Sequence, residues 1–389
     1  MIYLDNCATT FPKPSIVLSA VEKANRYYAA NPGRSGHKLS LKASNEVYNC
    51  RENLRDFFNA KSAENVIFTL NCTTALNTVI KGILEEGDHV IVSSLEHNSV
   101  MRPVKELEKN GVTYTAAEVF PFDNDATVDS FRKAIKSNTR LAVITHASNV
   151  FGIKLPIERI CALLHQYGII VCVDAAQTAG VFPIDVQNSS IDFLCVAGHK
   201  GLYGTMGTGA LIINCDRIVK PLISGGTGSS SAELLQPEIL PDKFESGTAN
   251  VSGIAALNAG VSFVRKKGIE NIYSHEMNLI TDLYNALKRN NRVILYTDKP
   301  QKEYFAPVLS FNLEGINSEN TAQLLNEKYD IAVRAGLHCA PSAHRYMNTI
   351  DEGTVRVCPS VFTTSKQIDA LIFAINEISK RKFVKKQLQ

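Results

Sequence analysis

The sequence has no long hydrophobic run and no marked excess of one charge. No apolar stretch approaches the length needed to span a bilayer, and the opening residues MIYLDNCATT lack the basic and apolar segments of a signal peptide. Lysine and arginine total 41 against 38 aspartate and glutamate residues, so nucleic acid and membrane are not expected as partners. The basic tail SKRKFVKKQLQ is predicted to be a solvated helix end. Together these absences predict a cytoplasmic protein.

The sequence also lacks a C-x-x-C pair and an H-E-x-x-H motif, although it contains nine cysteines. Since an odd number of cysteines cannot all pair within one chain, we expect mostly buried, reduced thiols, with Cys172 and Cys195 packed inside apolar strands. No metal site is expected, because His338, Cys339 and His344 are weak evidence for zinc. Cys339, in the stretch RAGLHCAPSAHR, is either a nucleophile or one more packed thiol, and a lone cysteine does not decide between them.

Short apolar runs alternate with helix-length segments between residues 65 and 214. The predicted strands are NVIFT, HVIVS, TYTAAE, RLAVITHA, IIVCVD, IDFLCVA and TGALIIN. Strands separated by amphipathic helices, such as the helix predicted after Thr74, indicate an α/β fold with a mostly parallel seven-stranded sheet that is covered on both sides. In this architecture the chemistry belongs at the carboxyl ends of the strands.

The 389 residues are long enough for two domains. A glycine-rich loop, GGTGSSS, follows the last predicted strand of the sheet. Beyond it we predict two long helices over residues 252–290, the strands VILYT, APVLSFNL, IAVRAG and TVRVCPS, and a helix from Ser365. The predicted large domain covers residues 15–254, and a smaller α+β domain combines residues 1–14 with residues 255–389.

Polar residues follow four of the predicted strands. Asp174 ends IIVCVD, His199 and Lys200 follow IDFLCVA, and His97 and Asn149 follow HVIVS and RLAVIT. Each alone could be an ordinary strand cap or ion-pair partner. Parallel strands would place all of them on one rim of the sheet, however, and such convergence is typical of a cofactor site.

Lys200 and Asp174 suit pyridoxal phosphate. This cofactor needs a lysine, an acid that faces its pyridinium nitrogen and a site for its phosphate. A lysine held in a sheltered cleft has a lowered pKa, which makes it reactive toward carbonyl compounds. Thr73 and Thr74, at the helix start in FTLNCTTALN, offer a phosphate site through free backbone N–H groups and hydroxyls, although threonine is also simply a good helix cap. Neither GTMGTG nor GGTGSS fits a nucleotide-binding motif.

The motifs resemble those of the class V aminotransferase family, and within it those of the cysteine desulfurases. Nearly end to end and in the family's order, the chain contains YLDNCATT, NPGRSGH, CTTALN, EHNS, SNVFG, VDAAQ, GHKG, ESGTAN, RAGLHCAP and TVRV. The resemblance implies a pyridoxal phosphate-dependent transferase of fold type I that works as a homodimer with its sites at the subunit interface.

Carried over by position, the resemblance also implies residue roles. The cofactor-binding residues would be Thr73, Thr74, His97, Asn149, Asp174, Gln177, His199, Lys200 and, from the other subunit, Thr248. Lys200, His97 and Cys339 would be catalytic, and Cys339 would accept the sulfur of L-cysteine as a persulfide. The substrate would be bound by Arg356, Asn149 and Arg334. Arg334 and His338 would favour the reactive thiolate of Cys339.

Departures from the family pattern indicate a side branch. Ala197 stands where the family has a phosphate-binding serine, and Gly201 is an extra residue after Lys200. The short loop between Cys339 and Arg356 resembles that of the second group of desulfurases, which suits a separate sulfur-acceptor protein and often also cleaves selenocysteine. We therefore expect a cysteine desulfurase, with a selenocysteine lyase or another class V aminotransferase or β-lyase as alternatives. A non-catalytic scaffold is disfavoured, because Lys200 and Arg356 are both present.

Overall fold

The computed structural model describes residues 1–33, 36–217 and 219–380, so the end of the basic tail lies outside the described residues. The strands are β1 (Ile2–Tyr3), β2 (Val66–Thr69), β3 (His89–Ser93), β4 (Thr113–Ala117), β5 (Thr139–Thr145), β6 (Ile170–Asp174), β7 (Phe193–Ala197), β8 (Gly209–Ile213), β9 (Val293–Leu295), β10 (Leu309–Leu313), β11 (Ile331–Ala332) and β12 (Val355–Val357). The helices are α1 (Ser15–Tyr27), α2 (Lys38–Phe58), α3 (Cys72–Ile83), α4 (Asn98–Leu107), α5 (Asn124–Ala134), α6 (Ile157–His165), α7 (Val251–Lys267), α8 (Ile269–Leu287), α9 (Ser318–Tyr329), α10 (Pro341–Tyr346) and α11 (Ser365–Ser379).

The apolar runs between residues 65 and 214 form one seven-stranded sheet in the order β2-β8-β7-β6-β5-β3-β4. Strands β4, β3, β5, β6 and β7 run parallel, whereas β8 is antiparallel to both β7 and β2. Every residue of β3, β6 and β7 is buried, because helices cover both faces of the sheet. The predicted α/β architecture is confirmed, and the carboxyl ends of the parallel strands share one rim.

Alternate residues of the central strands enter two separate cores. Ala142, Val171 and Leu194 face one core, and Val143 and Cys172 face the other. Cys195 joins Cys172 in that second core, with their sulfur atoms 3.7 Å apart. Both are buried thiols, as predicted for cysteines within apolar strands.

The C-terminal half builds smaller sheets beside the large one. Strands β12, β10 and β9 form an antiparallel sheet, and β1 returns from the start of the chain to pair in parallel with β11. Helices α8, α9 and α11 pack on these strands around a third apolar core. The predicted domain boundaries at residues 15 and 255 remain a prediction.

The prediction of reduced cysteines is wrong for one pair. Cys7 and Cys358 form a disulfide, with their Cα atoms 5.8 Å apart and a sequence separation of 351. The N-terminal segment lies directly beside β12, where Asp5 bridges Cys358 in parallel, so the two thiols meet. Cysteine spacing could not reveal this pair, because it depends on how the two ends of the chain pack together.

Gly201, the extra residue after Lys200, fits a position that admits no side chain. A Cβ atom built on Gly201 would lie 2.4 Å from the carbonyl oxygen of Ala179. The contact is tight from the other side as well, because a Cβ atom on Gly180 would lie 2.2 Å from the Gly201 carbonyl oxygen. The turn that carries Lys200 is therefore packed directly against the backbone that follows β6.

We expect Gly201→Ala to destabilise the protein by about 1–3 kcal/mol, since overpacking here must shift backbone. Thermal unfolding measures the effect. Gly225→Ala is the matched control, because its Cβ would meet only ordinary contacts, the nearest at 3.5 Å. Equal melting temperatures for the two variants would contradict the expectation.

Candidate active site

The predicted polar residues meet at the carboxyl ends of the parallel strands. One cavity there is lined by Thr73, His97, Asn149, Asp174, Gln177, His199 and Lys200. The helix start of α3 and the helix start of α4 contribute Thr73 and His97, and the other residues follow β5, β6 and β7. Parallel register brings these positions together, since β3 pairs with β5, β5 with β6 and β6 with β7.

Lys200 is held in a sheltered turn by the N-terminal segment. The carbonyl oxygen of His199 accepts hydrogen bonds from Thr10 N at 3.1 Å and Lys13 Nζ at 2.8 Å, and Thr10 Oγ1 also contacts the Lys200 carbonyl oxygen. Burial lowers the pKa of Lys200, whereas the nearby Asp174 acts in the opposite direction. The turn therefore presents an amine that gives up its proton more readily than an exposed lysine does.

Asp174 is oriented by two donors. Its Oδ1 accepts from Ala176 N at 2.9 Å and from the Cys72 thiol at 3.4 Å. Burial raises the pKa of Cys72 well above its usual value, so the thiol keeps its proton and acts as the donor. The carboxyl of Asp174 thus has a fixed orientation at the floor of the cavity.

His97 is a neutral imidazole in a defined tautomer. It caps helix α4, where its Nδ1 accepts from Ser99 N at 3.0 Å, so the ring proton resides on Nε2. Burial lowers the pKa of His97 to about 4. The following residue, Asn98, donates its backbone N–H to the Cys339 carbonyl oxygen at 2.7 Å, which ties the histidine turn to the cysteine loop.

The phosphate end of the predicted site lies at helix α3. Asn71 caps this helix by accepting from Thr74 N at 2.9 Å and Thr74 Oγ1 at 3.2 Å. His199 Nδ1 is buried and has no hydrogen-bond partner among the described residues, and burial lowers the pKa of His199 to about 4. A neutral imidazole with an unused ring nitrogen and an exposed Thr73 beside a helix N-terminus fit a phosphate group.

Two residues predicted to bind phosphate line a second cavity, which adjoins the first at the start of helix α3. Thr74 and Thr248 line a neighbouring larger cavity, and Thr248 is exposed. Thr208, which precedes the β8 residue paired with Ala197, donates its hydroxyl to the Thr205 carbonyl oxygen. This hydroxyl therefore does not replace the serine that the family has at the position of Ala197.

Asn149 joins the cavity to the predicted substrate-binding residues. Its side-chain Nδ2 donates to the His338 carbonyl oxygen at 2.8 Å, and its main-chain carbonyl oxygen accepts from Arg356 Nη1 at 2.9 Å. Arg356 lies on β12, and its backbone N–H donates to the Arg334 carbonyl oxygen at 2.8 Å. Arg334 Nη2 in turn lies 3.8 Å from the sulfur of Cys339.

Cys339 is the exposed thiol of the site. Both His338 (φ 49°) and Cys339 (φ 57°) adopt left-handed backbone conformations, which turn the loop sharply before helix α10. Among the cysteines of the described segments that are not in the disulfide, Cys339 alone is exposed. An exposed thiol next to a guanidinium is the setting in which a thiolate reacts.

The expected support of the thiolate by His338 is wrong. His338 is 2% exposed, its Nε2 contacts the Thr354 carbonyl oxygen at 2.9 Å, and burial lowers its pKa to about 2. It is therefore uncharged near neutral pH and supplies no positive charge to the neighbouring sulfur. Arg334 supplies the positive charge at the sulfur instead.

Sequence reasoning missed Asp5, Lys13 and Cys72. Asp5 pairs with Arg356 at 2.6 Å, and burial lowers the pKa of Lys13, which contacts the His199 carbonyl, to about 8. One signal was present for Asp5, because it follows the apolar run IYL as a charged residue, much as Asp174 ends its strand. Cys72 and Lys13 gave no such signal.

Comparison with known proteins places this geometry in a family. The family profile for aminotransferase class V matches residues 2–371. The chain belongs to this family. A probable cysteine desulfurase from Methanothermobacter thermautotrophicus is 34% identical over 97% of this chain and 94% of the relative. A cysteine desulfurase from Escherichia coli is 32% identical over 97% of this chain and 93% of the relative.

Solved structures agree with this membership. The apo cysteine desulfurase from Thermococcus onnurineus has a TM-score of 0.91 at 29% identity, over 97% of this chain and 94% of that one. A cysteine desulfurase from Escherichia coli has a TM-score of 0.86 at 28% identity, over 96% of this chain and 94% of that one. The predicted family and the predicted fold type I architecture are therefore confirmed.

Proposed function

We propose that this class V protein is a cysteine desulfurase, which converts L-cysteine to L-alanine and keeps the sulfur on Cys339 as a persulfide. The observation that carries the proposal is the placement of Cys339. Its exposed thiol lies beside Arg334, and its backbone is hydrogen-bonded to the turn that follows His97, which lines the same cavity as Lys200. The relatives named above are cysteine desulfurases or probable ones.

Pyridoxal phosphate is the cofactor proposed for this cavity. When bound, it supplies an electron sink for negative charge at the α-carbon of an amino acid. Asp174 would face its ring nitrogen, Gln177 its ring hydroxyl, and His97 the ring face. His199 and Thr73 would bind its phosphate, together with Thr74 and, from a second copy of the chain, Thr248. Lys200 would hold it covalently.

Each of three side chains then has a separate role in the proposed reaction. Arg356, oriented by the Asn149 carbonyl, would bind the substrate carboxylate through its planar N–H groups. Lys200, with its lowered pKa, would take the α-proton and return a proton to carbon. The Cys339 thiolate would attack the substrate sulfur, so that an S–S bond forms as the C–S bond breaks and its electron pair stays with carbon. Protonation of that carbon gives L-alanine.

The site is proposed to work in a homodimer that passes sulfur to an acceptor protein. The segment between β8 and α7 exposes Leu222, Ile223, Leu234, Leu235 and Ile239, and the first two line the cavity that holds Thr248. Exposed apolar side chains of this kind suit burial against a second copy. Cytoplasmic location remains a prediction; no helix in the described part of the chain is long and apolar enough to cross a membrane.

The proposal is tested by incubating the cofactor-loaded protein with L-cysteine and, separately, with L-selenocysteine, and measuring released L-alanine. We expect L-alanine from L-cysteine. Release from L-selenocysteine alone would make the protein a selenocysteine lyase, which uses the same residues. Release from neither would refute the desulfurase reaction and favour another class V aminotransferase or β-lyase.

A further inference from the structure

The start of the chain and the residues around β12 are cross-linked side by side. Arg356 Nη2 donates to Asp5 Oδ1 at 2.6 Å. Cys358 N donates to the Leu4 carbonyl oxygen at 2.8 Å, and a disulfide joins Cys7 to Cys358. On both segments the ion-paired residue and the disulfide-bonded residue are two positions apart, so the disulfide ties the segment that carries Asp5 to the segment that carries Arg356.

Asp5 supplies the negative charge that the buried Arg356 needs. The side chain of Arg356 is 1% exposed and that of Asp5 is 19% exposed. Arg356 Nη1 donates to the Asn149 carbonyl oxygen, whereas its Nε is buried without a hydrogen-bond partner among the described residues. A guanidinium removed from water without a counter-charge is strongly destabilised. Asp5 and Asn149 therefore hold the guanidinium in one orientation and leave Nε–H and further N–H groups for another acceptor.

We propose that Asp5 is a positioning residue for substrate binding, which acts through Arg356, and that the Cys7–Cys358 disulfide keeps Asp5 in place. The inference rests on the proposed function, since it takes Arg356 as the residue that binds the substrate carboxylate. Two parallel hydrogen bonds to a carboxylate require a fixed guanidinium plane, so a small rotation loses one of them. Asp5 contacts no reacting atom, and its loss should weaken binding with little effect on kcat.

The first test is Asp5→Asn, which keeps the size of the side chain and removes its charge. We expect the cofactor-loaded variant to bind L-cysteine and L-alanine about tenfold more weakly, with kcat within about twofold of the wild type. L-Alanine carries the same carboxylate without the thiol, and its binding is followed by the absorbance of the bound cofactor. Asp330→Asn is the matched control, because Asp330 pairs with the Met1 amino group on the same segment. It should bind both amino acids like the wild type.

The second test addresses the disulfide. A small dithiol would reduce it by thiol–disulfide exchange, in which the dithiol is oxidised to its own disulfide and Cys7 and Cys358 become two thiols. Cys7→Ser removes the same bond, and Cys215→Ser is the control for a half-buried free thiol. We expect Cys7→Ser to weaken L-alanine binding about threefold, and to add nothing in the Asp5→Asn background, because both changes act on one contact.

The outcomes separate the possibilities. Unchanged or tighter amino-acid binding by Asp5→Asn would overturn the proposal. Additive effects of Asp5→Asn and Cys7→Ser on binding would overturn the proposed role of the disulfide in keeping Asp5 in place. Weaker binding at an unchanged melting temperature distinguishes positioning from a loss of stability. A wild type that binds L-alanine but releases none from L-cysteine would refute the proposed function and leave this inference standing.

Discussion

Lys200→Ala should reduce L-alanine formation from L-cysteine by about ten-thousandfold or more, the upper end of what one general acid–base group contributes. The expected loss is large because Lys200 is a buried amine at the strand rim, and burial lowers its pKa toward the working pH. Its turn is packed and hydrogen-bonded through His199 and Thr10, and the neighbouring Lys13 amine is hydrogen-bonded to the His199 carbonyl oxygen at 2.8 Å. Initial rates of L-alanine release measure the effect.

Lys200→Arg sharpens this prediction. Arginine keeps the positive charge but does not give up its proton, so we expect it to be as inactive as alanine. Lys220→Ala is the control, because Lys220 forms an exposed ion pair with Glu85. Borohydride reduction followed by mass spectrometry gives a second readout: the wild type should retain the cofactor covalently and both Lys200 variants should not. Activity in Lys200→Arg near that of the wild type would mean that the residue acts only through its charge.

The rim of the sheet could be predicted because its positions follow from local pattern. Asp174 ends an apolar run, His97, Asn149 and Lys200 lie within a few residues of the end of one, and parallel strands must end on the same side. The strand that carries each residue, and the side of the sheet on which it lies, then follow without knowledge of distant contacts. The same pattern predicted Cys172 as a buried thiol inside a strand, whereas the role expected of Cys339 came only from the family resemblance.

Contacts between distant segments could not be predicted in this way. Asp5 meets Arg356, and Cys7 meets Cys358, only because β1 returns to pair with β11 beside β12. The charge of His338 is a similar case, since its proximity to Cys339 in sequence suggested a cation, whereas burial makes it neutral. Sequence proximity indicates which groups are near one another, but their charge depends on solvent exposure that only the packed structure defines.

Cys339→Ala should abolish sulfur release from L-cysteine while leaving amino-acid binding intact. The thiol lies on an exposed loop, 3.8 Å from Arg334, and makes no packing contact that its removal would open, because it is not part of the buried core. We expect L-alanine formation to fall by about a hundredfold or more, since a nucleophile is lost rather than a binding group. L-Alanine binding, followed by cofactor absorbance, should remain within about twofold of the wild type.

Finding which residue carries the sulfur distinguishes a desulfurase, which uses Cys339, from a class V aminotransferase or β-lyase, which does not. After a single turnover with L-cysteine, the wild type should gain the mass of one sulfur atom on the peptide that contains Cys339, and reduction should remove it. Cys215→Ser should behave like the wild type, because Cys215 is half-buried and burial raises its pKa to about 11. Undiminished L-alanine formation by Cys339→Ala would assign the chemistry to the lysine rim alone, as expected of an aminotransferase or β-lyase, since those reactions need the electron sink and Lys200 but no thiol nucleophile.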